Sequence, residues 1–359
     1  MKRVLVYGMT DNPGGMEAYV INLVKRVKDD VTFDYVIDFA TIAHSEFIES
    51  MGSKVYHIPP KGKQLFAHWA GLWKILKQHP EYETVYFNVL DAGVAITELV
   101  PWLLGRKVVT HSHNSSTDKM RLHRLCRPLM NFLTHGYVAC SKIASEFMFG
   151  DGEKALVIPN AIEAEKFVFN PQLREQKRAE LGLKDEFVVC HIGRLVMQKN
   201  PLRLLDIFKA FLAKEPNAVL LSIGTGDMES EVHRHAEELG IGERVRFLGT
   251  RLDIPELLQA ADMFLFPSLF EGLGIVVLEA QASGLPCVVS TEVPREVNVT
   301  GNVSFVSLDE SDDVWAENIL AVSADFVREN TWPKLIAGGY DIHNCQEKDR
   351  ELLAMLTQA

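Results

Sequence analysis

Short runs of β-branched and aliphatic residues alternate with amphipathic stretches along almost the whole chain. Two series of predicted strands can be separated, at 4–8, 33–39, 55–58, 84–88, 107–111 and 136–140, and at 187–192, 219–223, 245–248, 263–266 and 287–290. Predicted amphipathic helices at 15–27, 64–79, 201–214 and 229–239 lie between them. This alternation predicts an α/β fold of two Rossmann-like doubly wound domains, with parallel sheets covered on both faces. A ligand is then expected beyond the carboxyl ends of the strands, in a cleft between the domains.

The chain has 359 residues, which exceeds the usual size of a single hydrophobic core and favours two domains. A charged segment at 163–186 separates the two series of strands and reads as a linker that leads into a helix. We therefore expect a first domain over 1–162 and a second over 163–335. Residues 336–359 form a helical segment that is expected to cross back to the first domain.

Composition excludes several classes of protein. A net charge of −11 argues against nucleic acid as the main partner. Five cysteines occur without a CxxC pair, which is typical of reduced and mostly buried thiols: Cys126, Cys140, Cys190, Cys287 and Cys345. No run approaches about 18 apolar residues, the length that a membrane-spanning helix needs. We expect a cytoplasmic protein, placed at the inner face of the cell membrane if its acceptor is lipid-linked.

Two candidate features follow strands of the first domain. Gly14 and Gly15 lie where the chain turns from a strand into a helix, and they would let backbone amides approach an anion. A flexible turn is the alternative, since the segment is not GxGxxG. His111 ends the fifth strand as a candidate active-site contact, and a satisfied structural histidine is the alternative. His113 is expected to face the opposite side, a spacing poor for chelation, so no metal site is expected.

Two cations follow the first strand of the second domain. Gly193 and Arg194 end this strand, and Lys199 comes five residues after Arg194, just before a helix that begins near Pro201. An arginine and a lysine on either side of such a loop could hold two phosphates. The alternative is a pair of solvated surface cations.

Two glutamates stand eight positions apart in the apolar run "FEGLGIVVLEAQASGLPCVVS", residues 270–290. Glu271 is predicted in a loop and Glu279 on the second turn of the following helix, and both are expected to face one polar ligand because an unpartnered buried carboxylate is costly. One carboxylate would bind hydroxyls of a sugar and the other those of a ribose. Backbone amides at the helix start would face a diphosphate, and the segment concerned is Gly272, Leu273, Gly274, Ile275 and Val276.

Four motifs in this order resemble the family-four retaining glycosyltransferases of the GT-B fold. They are "NPGGMEAYV", "IPNAIE", "GRLVMQKNP" and the two glutamates within "FEGLGIVVLEA". The segments "HSHNSS" and "CSKIASEFMFG" are most similar to bacterial members that assemble exopolysaccharide or capsule. The resemblance implies an acceptor-binding first domain and a second domain that binds a nucleoside-diphosphate sugar, expected to be a UDP-sugar. The acceptor is then a saccharide hydroxyl, expected on a lipid-linked saccharide.

The resemblance also implies roles for individual residues. Arg194 and Lys199 would bind the donor diphosphate, and Gly15 would lie beside the donor phosphates. Glu271 would contact the donor sugar, Glu279 the ribose, and His111 the reacting centre and acceptor. No carboxylate is placed as a covalent nucleophile, so front-face attack is favoured, with no metal or cofactor expected. The other interpretations are a nucleotide-sugar hydrolase or epimerase on this fold, an NAD-dependent oxidoreductase, which the missing GxGxxG disfavours, and a silent nucleotide-sugar-binding subunit.

One predicted helix, within 64–79, carries a stripe of large apolar side chains: Leu65, Phe66, Trp69, Leu72, Trp73 and Leu76. Lys63, Lys74 and Lys77 flank the stripe. Residues 61–142 hold eleven basic and five acidic residues, a balance of +6 in an acidic protein. The stripe predicts either a core-packing helix or an interfacial helix on an anionic membrane.

Overall fold

A computed structural model of the protein describes residues 1–12, 14–324 and 326–358. The described chain divides into two compact units. The first comprises Met1–Ala161 together with Ile342–Ala359, and the second comprises Ile162–Asp341.

In the first unit, the described residues form a seven-stranded parallel sheet in the order β3-β2-β1-β4-β5-β6-β7. Its strands are β1 (Lys2–Tyr7), β2 (Val31–Ile37), β3 (Val55–His57), β4 (Thr84–Val89), β5 (Lys107–Ser112), β6 (Gly136–Ala139) and β7 (Leu156–Val157). Its helices are α1 (Gly15–Val27), α2 (Ser45–Ser50), α3 (Lys61–Gln78), α4 (Ala95–Leu103), α5 (Met120–Leu133), α6 (Lys142–Phe149) and α14 (Gln346–Thr357).

In the second unit, the described residues form a six-stranded parallel sheet in the order β10-β9-β8-β11-β12-β13. Its strands are β8 (Phe187–Ile192), β9 (Ala218–Ile223), β10 (Val245–Phe247), β11 (Met263–Phe266), β12 (Cys287–Ser290) and β13 (Val303–Val306). Its helices are α7 (Pro171–Glu180), α8 (Pro201–Leu212), α9 (Glu229–Glu238), α10 (Ile254–Ala260), α11 (Ile275–Ala282), α12 (Asp312–Ser323) and α13 (Trp332–Ala337). Short 3₁₀ turns occur at Ala92–Val94, Ala164–Phe167, Met197–Lys199, Gly242–Arg244, Arg295–Val297 and Ile342–Asn344.

The predicted α/β class and the two doubly wound sheets are confirmed. Each predicted strand is present with ends that differ by no more than two residues, and β8, β11 and β12 have the predicted bounds. The strands β7 and β13 were not predicted. They have two and four residues, which is too short for a run of apolar residues to stand out from the neighbouring loops.

Each unit has its own apolar core. In the first unit, the buried face of α1 packs with β1, β2 and the C-terminal helix α14, from which Leu352 and Leu356 enter the core. A buried ion pair between Arg26 and Asp349, 2.6 Å from Nε to Oδ2, joins α1 to α14. In the second unit, Phe208 and Phe211 of α8 pack with Trp315 of α12. All five cysteines are buried and none is in a disulfide, as the sequence predicts.

The apolar stripe on α3 is divided between core and surface. Leu72 and Leu76 are fully buried, whereas Phe66 is 82% exposed and Trp73 is 41% exposed. A non-helical residue at Gln64 interrupts the first turn of the helix, and all six residues of the stripe follow it. The side chain of Lys63 lies outside the described residues. None of the helices, as far as the chain is described, is long and apolar enough to cross a membrane.

Candidate functional site

In each sheet the strand order reverses at one point, between β1 and β4 in the first unit and between β8 and β11 in the second. Ligands of doubly wound folds bind beyond the carboxyl ends of the strands at this point. The predicted residues Gly14, Gly15 and His111 belong to the first unit, and the other predicted site residues belong to the second.

The turn after β1 carries the predicted glycines at the start of α1. Gly14 occupies the N-cap position with an extended backbone, and Gly15 is the first helical residue. The carboxylate of Glu17 accepts hydrogen bonds from the backbone nitrogen of Thr10 (3.2 Å) and from its hydroxyl (2.7 Å). Glu17 therefore ties the turn to α1, and no side chain of the described residues caps the start of the helix.

His111 and His113 lie on the same side of the chain, so the prediction that they face opposite sides is wrong. Their rings are stacked with centroids 4.0 Å apart at 29°. The reason is that side chains alternate along a strand, so residues two apart point the same way. His111 is fully buried, whereas His113 retains 8% exposure just beyond the end of β5.

Hydroxyl and amide side chains hold these two histidines. Nδ1 of His111 lies 2.6 Å from the hydroxyl of Tyr86, and Nε2 of His113 lies 2.9 Å from Oδ1 of Asn88. Tyr19 of α1 packs edge-on against His111, with ring centroids 4.7 Å apart. The cluster therefore connects α1, β4 and the end of β5.

Three buried polar atoms of this cluster have no hydrogen-bond partner among the described residues: Nε2 of His111, Nδ1 of His113 and Nδ2 of Asn88. Burial lowers the pKa of His113 to about 3 and lowers that of His111 well below its usual range, with the neighbouring His113 as a second cause. Both imidazoles are therefore neutral at physiological pH. Such a cluster can exchange hydrogen bonds with uncharged hydroxyl groups.

In the second unit, the structure brings Lys199 and Glu271 together. Nζ of Lys199 lies 2.5 Å from Oε1 of Glu271, and the same oxygen accepts a hydrogen bond of 2.6 Å from the hydroxyl of Ser268. Lys199 also lies over the ring of Phe266, 4.9 Å from its centroid. A Cβ atom added at Gly193 would lie 3.3 Å from Cγ of Lys199. The absence of a side chain at Gly193 therefore leaves the lysine room beside the end of β8.

Arg194 differs from Lys199 in its surroundings. Its side chain is exposed, and it makes no ion pair or side-chain hydrogen bond with any residue in the described ranges. An exposed guanidinium next to the paired lysine remains available to an anionic group.

Helix α11 begins immediately after Gly274, whose φ of +89° is left-handed and favours glycine. Leu273 and Gly274 are buried, and Ile275 and Val276 are half-buried in the first turn. The first amides of a helix have no partner within it, which makes this helix start suited to an anion. The predicted loop position of Glu271 and helical position of Glu279 agree with these bounds.

Glu279 is half-buried on α11, and burial raises the pKa of its carboxyl group to about 8. No cation and no side-chain donor contacts this carboxyl group within the described part of the chain. A hydroxyl donor from a ligand would lower the energy of the charged form. Among the described residues, no group of three or more His, Cys, Asp or Glu side chains is placed to hold a metal ion.

Sequence reasoning missed three polar residues at these sites: Asn88, Ser268 and His191. Each is buried. His191 lies on β8, where its Nδ1 is 3.0 Å from the carbonyl oxygen of Leu265 and burial lowers its pKa to about 4. A polar residue inside an otherwise apolar strand was the available signal for Asn88 and His191.

The two halves of the chain match two sequence families. Residues 13–166 match the family described as Glycosyltransferase Family 4, and residues 173–331 match Glycosyl transferases group 1. A protein from Bacillus subtilis (strain 168) with the name "Putative glycosyltransferase EpsF" is 31% identical over 363 residues, which cover 95% of this chain and 93% of that protein. This chain belongs to glycosyltransferase family 4. The family resemblance read from its motifs is confirmed.

A further relative and two solved structures are also similar to this chain. The Escherichia coli UDP-Gal:alpha-D-GlcNAc-diphosphoundecaprenol alpha-1,3-galactosyltransferase is 29% identical over 250 residues, 66% of this chain and 62% of that enzyme. The crystal structure of Anabaena Alr3699/HepE in complex with UDP and glucose superposes with a TM-score of 0.84 at 22% identity, covering 99% of this chain and 100% of that one. The lipopolysaccharide glycosyltransferase WaaG has a TM-score of 0.72 at 16% identity, with 99% and 100% covered. The fold of this glycosyltransferase is GT-B.

Proposed function

We propose that this glycosyltransferase moves a sugar from a UDP-sugar to a hydroxyl group of a lipid-linked saccharide with retention of anomeric configuration, in exopolysaccharide or capsule assembly. The observation that carries the donor part is the arrangement around α11. Lys199 and Glu271 form a pair 2.5 Å apart, the amides of the helix start lie next in the chain, and Glu279 has a carboxyl group with no cation beside it in the described residues. A nucleoside diphosphate joined to a sugar offers an anion to the lysine and the helix amides. Its hydroxyl groups can donate hydrogen bonds to the two carboxyl groups.

In this proposal each predicted residue has one task. Arg194 and Lys199, with the amides of Leu273 to Val276, offset the charge that develops on the departing diphosphate. Glu271 accepts hydrogen bonds from the transferred sugar, and Glu279 from the ribose. Gly14 and Gly15 let the start of α1 approach the donor phosphates, and His111 contacts the reacting centre from the first unit.

Transfer by front-face attack needs no protein carboxylate as a nucleophile. The acceptor hydroxyl forms the new bond on the face from which the diphosphate leaves, and its proton passes to the diphosphate oxygen. The protein then contributes positioning and charge stabilisation. Two cations and helix amides can supply this without a metal, so we expect activity to persist in excess chelator. Loss of activity in EDTA that Mg²⁺ or Mn²⁺ restores would contradict this part.

Two similar proteins support the choice of donor and acceptor. Alr3699/HepE has been crystallised with UDP-glucose, and the relative from Escherichia coli acts on a diphosphoundecaprenol substrate. A panel of nucleotide-sugars measured by thermal shift tests the donor, because a ligand that binds the native state raises the unfolding midpoint. We expect one UDP-sugar to give the largest shift and Lys199→Ala to reduce it. A panel that shifts nothing, or a larger shift with NAD, would contradict the proposal.

We also propose that the first unit binds anionic membranes through an apolar-basic surface on α3 and α5. This surface is defined by exposed apolar residues Phe66, Trp73, Leu122, Leu125 and Phe132 and by exposed basic residues Lys74, Lys77, Arg121 and Arg124. Phe132 packs against Trp102 of α4, with ring centroids 5.4 Å apart, and Lys77 lies over the ring of Trp73 at 5.8 Å. Mixed aromatic and basic side chains of this kind suit the headgroup region of an anionic bilayer.

A further inference from the structure

Asn88 is a buried amide that belongs to none of the motifs. It lies at the carboxyl end of β4, is 2% exposed, and pairs in register with His111 on β5. Its surroundings are rigid, because Gly8 at the end of β1 approaches so closely that an added Cβ would lie 2.0 Å from the carbonyl oxygen of Asn88. An amide buried at this position needs a reason, since burying it without hydrogen bonds is costly.

The hydrogen bond from His113 to Asn88 decides where the histidine carries its proton. In the amide orientation of this structure, Oδ1 of Asn88 lies 2.9 Å from Nε2 of His113. Because an amide oxygen only accepts, this orientation assigns the proton to Nε2. In a neutral imidazole the other nitrogen, Nδ1, then holds a lone pair. This nitrogen is buried and has no donor among the described residues.

A row of buried rings, those of His111, Tyr86 and Tyr19, keeps the ring of His113 in place. The ring stacks on His111 with centroids 4.0 Å apart, and Nδ1 of His111 is bound to the hydroxyl of Tyr86 at 2.6 Å. Tyr86 in turn lies 3.4 Å from the hydroxyl of Tyr19, from oxygen to oxygen. His113 keeps some exposure, so its ring can meet a ligand in addition to His111.

We propose that Asn88 is a positioning residue: it holds His113 in the tautomer with Nε2 protonated and thereby presents the Nδ1 lone pair to a hydroxyl group of the bound saccharide. The first half of this statement depends only on the structure. The second half rests on the proposed glycosyl transfer, because it needs a hydroxyl-bearing ligand at the first unit.

The test combines a spectroscopic and a kinetic measurement. Nitrogen-15 spectra of the histidine rings in the full chain distinguish the two neutral tautomers, and His113→Gln assigns the signal. We expect the Nε2-protonated form in the wild type and in Asn88→Asp, which keeps an accepting oxygen. In Asn88→Leu, of similar size but without an acceptor, a mixture of tautomers should appear. A wild-type ring protonated at Nδ1, or a ring unaffected by Asn88→Leu, would overturn the proposal.

The kinetic measurement uses the same variants with the best donor of the thermal-shift panel. We expect kcat to fall by about tenfold in Asn88→Leu and to recover in Asn88→Asp, with the donor KM unchanged in both. Unchanged kcat in a Leu variant with altered tautomer would overturn the positioning role. Asn318→Leu in the second unit controls for loss of an amide elsewhere. If no donor reacts, the glycosyl transfer itself is contradicted, and the spectra still decide the tautomer.

Discussion

The two sheets carry their candidate residues at equivalent places but with different electrostatics. At the switch point of the second unit, Lys199 and Glu271 form an ion pair with little exposure, 16% and 8% for their side chains. At the switch point of the first unit, the cluster consists of neutral histidines, tyrosines and an amide. A charged leaving diphosphate and an uncharged hydroxyl acceptor would need this difference, because a fixed charge is costly to bury without a charged ligand. The comparison therefore predicts that substitutions in the two units have different effects on turnover, on stability and on the pH dependence of stability.

The largest effect is expected from breaking the Lys199–Glu271 pair. Lys199→Ala should lower turnover at least tenfold, up to about a hundredfold, because it removes a cation from the developing diphosphate charge. It also leaves Glu271 buried without its ammonium partner, which should reduce the free energy of unfolding by about 3 kcal/mol.

A double variant separates these two consequences. Lys199→Met combined with Glu271→Gln removes both charges at similar size, and we expect urea unfolding to return near the wild-type value while turnover stays low. Recovery of turnover in the double variant would show that the pair serves the fold rather than the reaction.

Arg194 provides the matched contrast within the same unit. Since its side chain is exposed and makes no ion pair in the described ranges, Arg194→Ala should change the free energy of unfolding by no more than about 0.5 kcal/mol. Turnover should still fall at least tenfold, because the proposed contact of the guanidinium with the diphosphate is lost. Kinetics close to those of the wild type would remove Arg194 from the donor site.

We expect the side chain of Glu279 to destabilise the fold at high pH and to contribute to nucleotide binding. The pKa of its carboxyl group in the fold, about 8, lies above the ordinary value of 4.5. The fold therefore favours the protonated form, and stability is lost as the pH rises from about 4.5 toward 8. Glu279→Gln should be more stable than the wild type at pH 8, on the order of 1 kcal/mol, and equal to it at pH 4.5.

Above pH 8, where the carboxyl group of Glu279 is ionised, the same Glu279→Gln variant should bind the donor about tenfold more weakly, because a hydrogen bond to a charged acceptor is lost. Calorimetric titration with the preferred UDP-sugar measures this loss. A variant with unchanged donor affinity would place the ribose elsewhere.

The histidine cluster predicts an opposite dependence on pH. The pKa of His113 is lowered to about 3 in the fold, so the unfolded chain binds its proton first and stability falls as the pH drops below about 6.5. Between pH 7.5 and 5.5 the wild type should lose about 1 kcal/mol more than His113→Gln. His233→Gln, at an exposed position of the second unit, should follow the wild type. Equal losses in all three proteins would mean that His113 titrates normally.

The sequence revealed the second unit more completely than the first. Lys199, Glu271 and Glu279 lie within recognisable motifs next to strands whose bounds were predicted closely, so their order along the chain was enough to select them as candidates. Asn88 and His113 are 25 residues apart and meet only because β4 and β5 pair in one register. No local pattern encodes that register. The division of the α3 stripe between core and surface likewise depends on which neighbouring elements cover the helix, and residue spacing alone does not show this.

The smallest effect on turnover is expected at the apolar-basic surface of the first unit. Exposed lysines of the second unit provide control positions for its basic residues. Charge reversal at Lys63, Lys74 and Lys77 should weaken co-sedimentation with anionic vesicles by about fivefold or more at low salt, since each basic residue near such a surface contributes about 1 kcal/mol and salt screens it. Lys184→Glu with Lys209→Glu, two exposed lysines of the second unit, alters charge without touching this surface and should bind as the wild type does.

Phe66→Ser with Leu125→Ser tests the apolar contribution to vesicle binding, which should persist at high salt. All these variants should keep the wild-type unfolding midpoint, because the substituted side chains that the structure describes are exposed. If the wild type does not co-sediment with anionic vesicles at low salt, the exposed aromatic residues have another role and the proposed membrane contact of the first unit is contradicted.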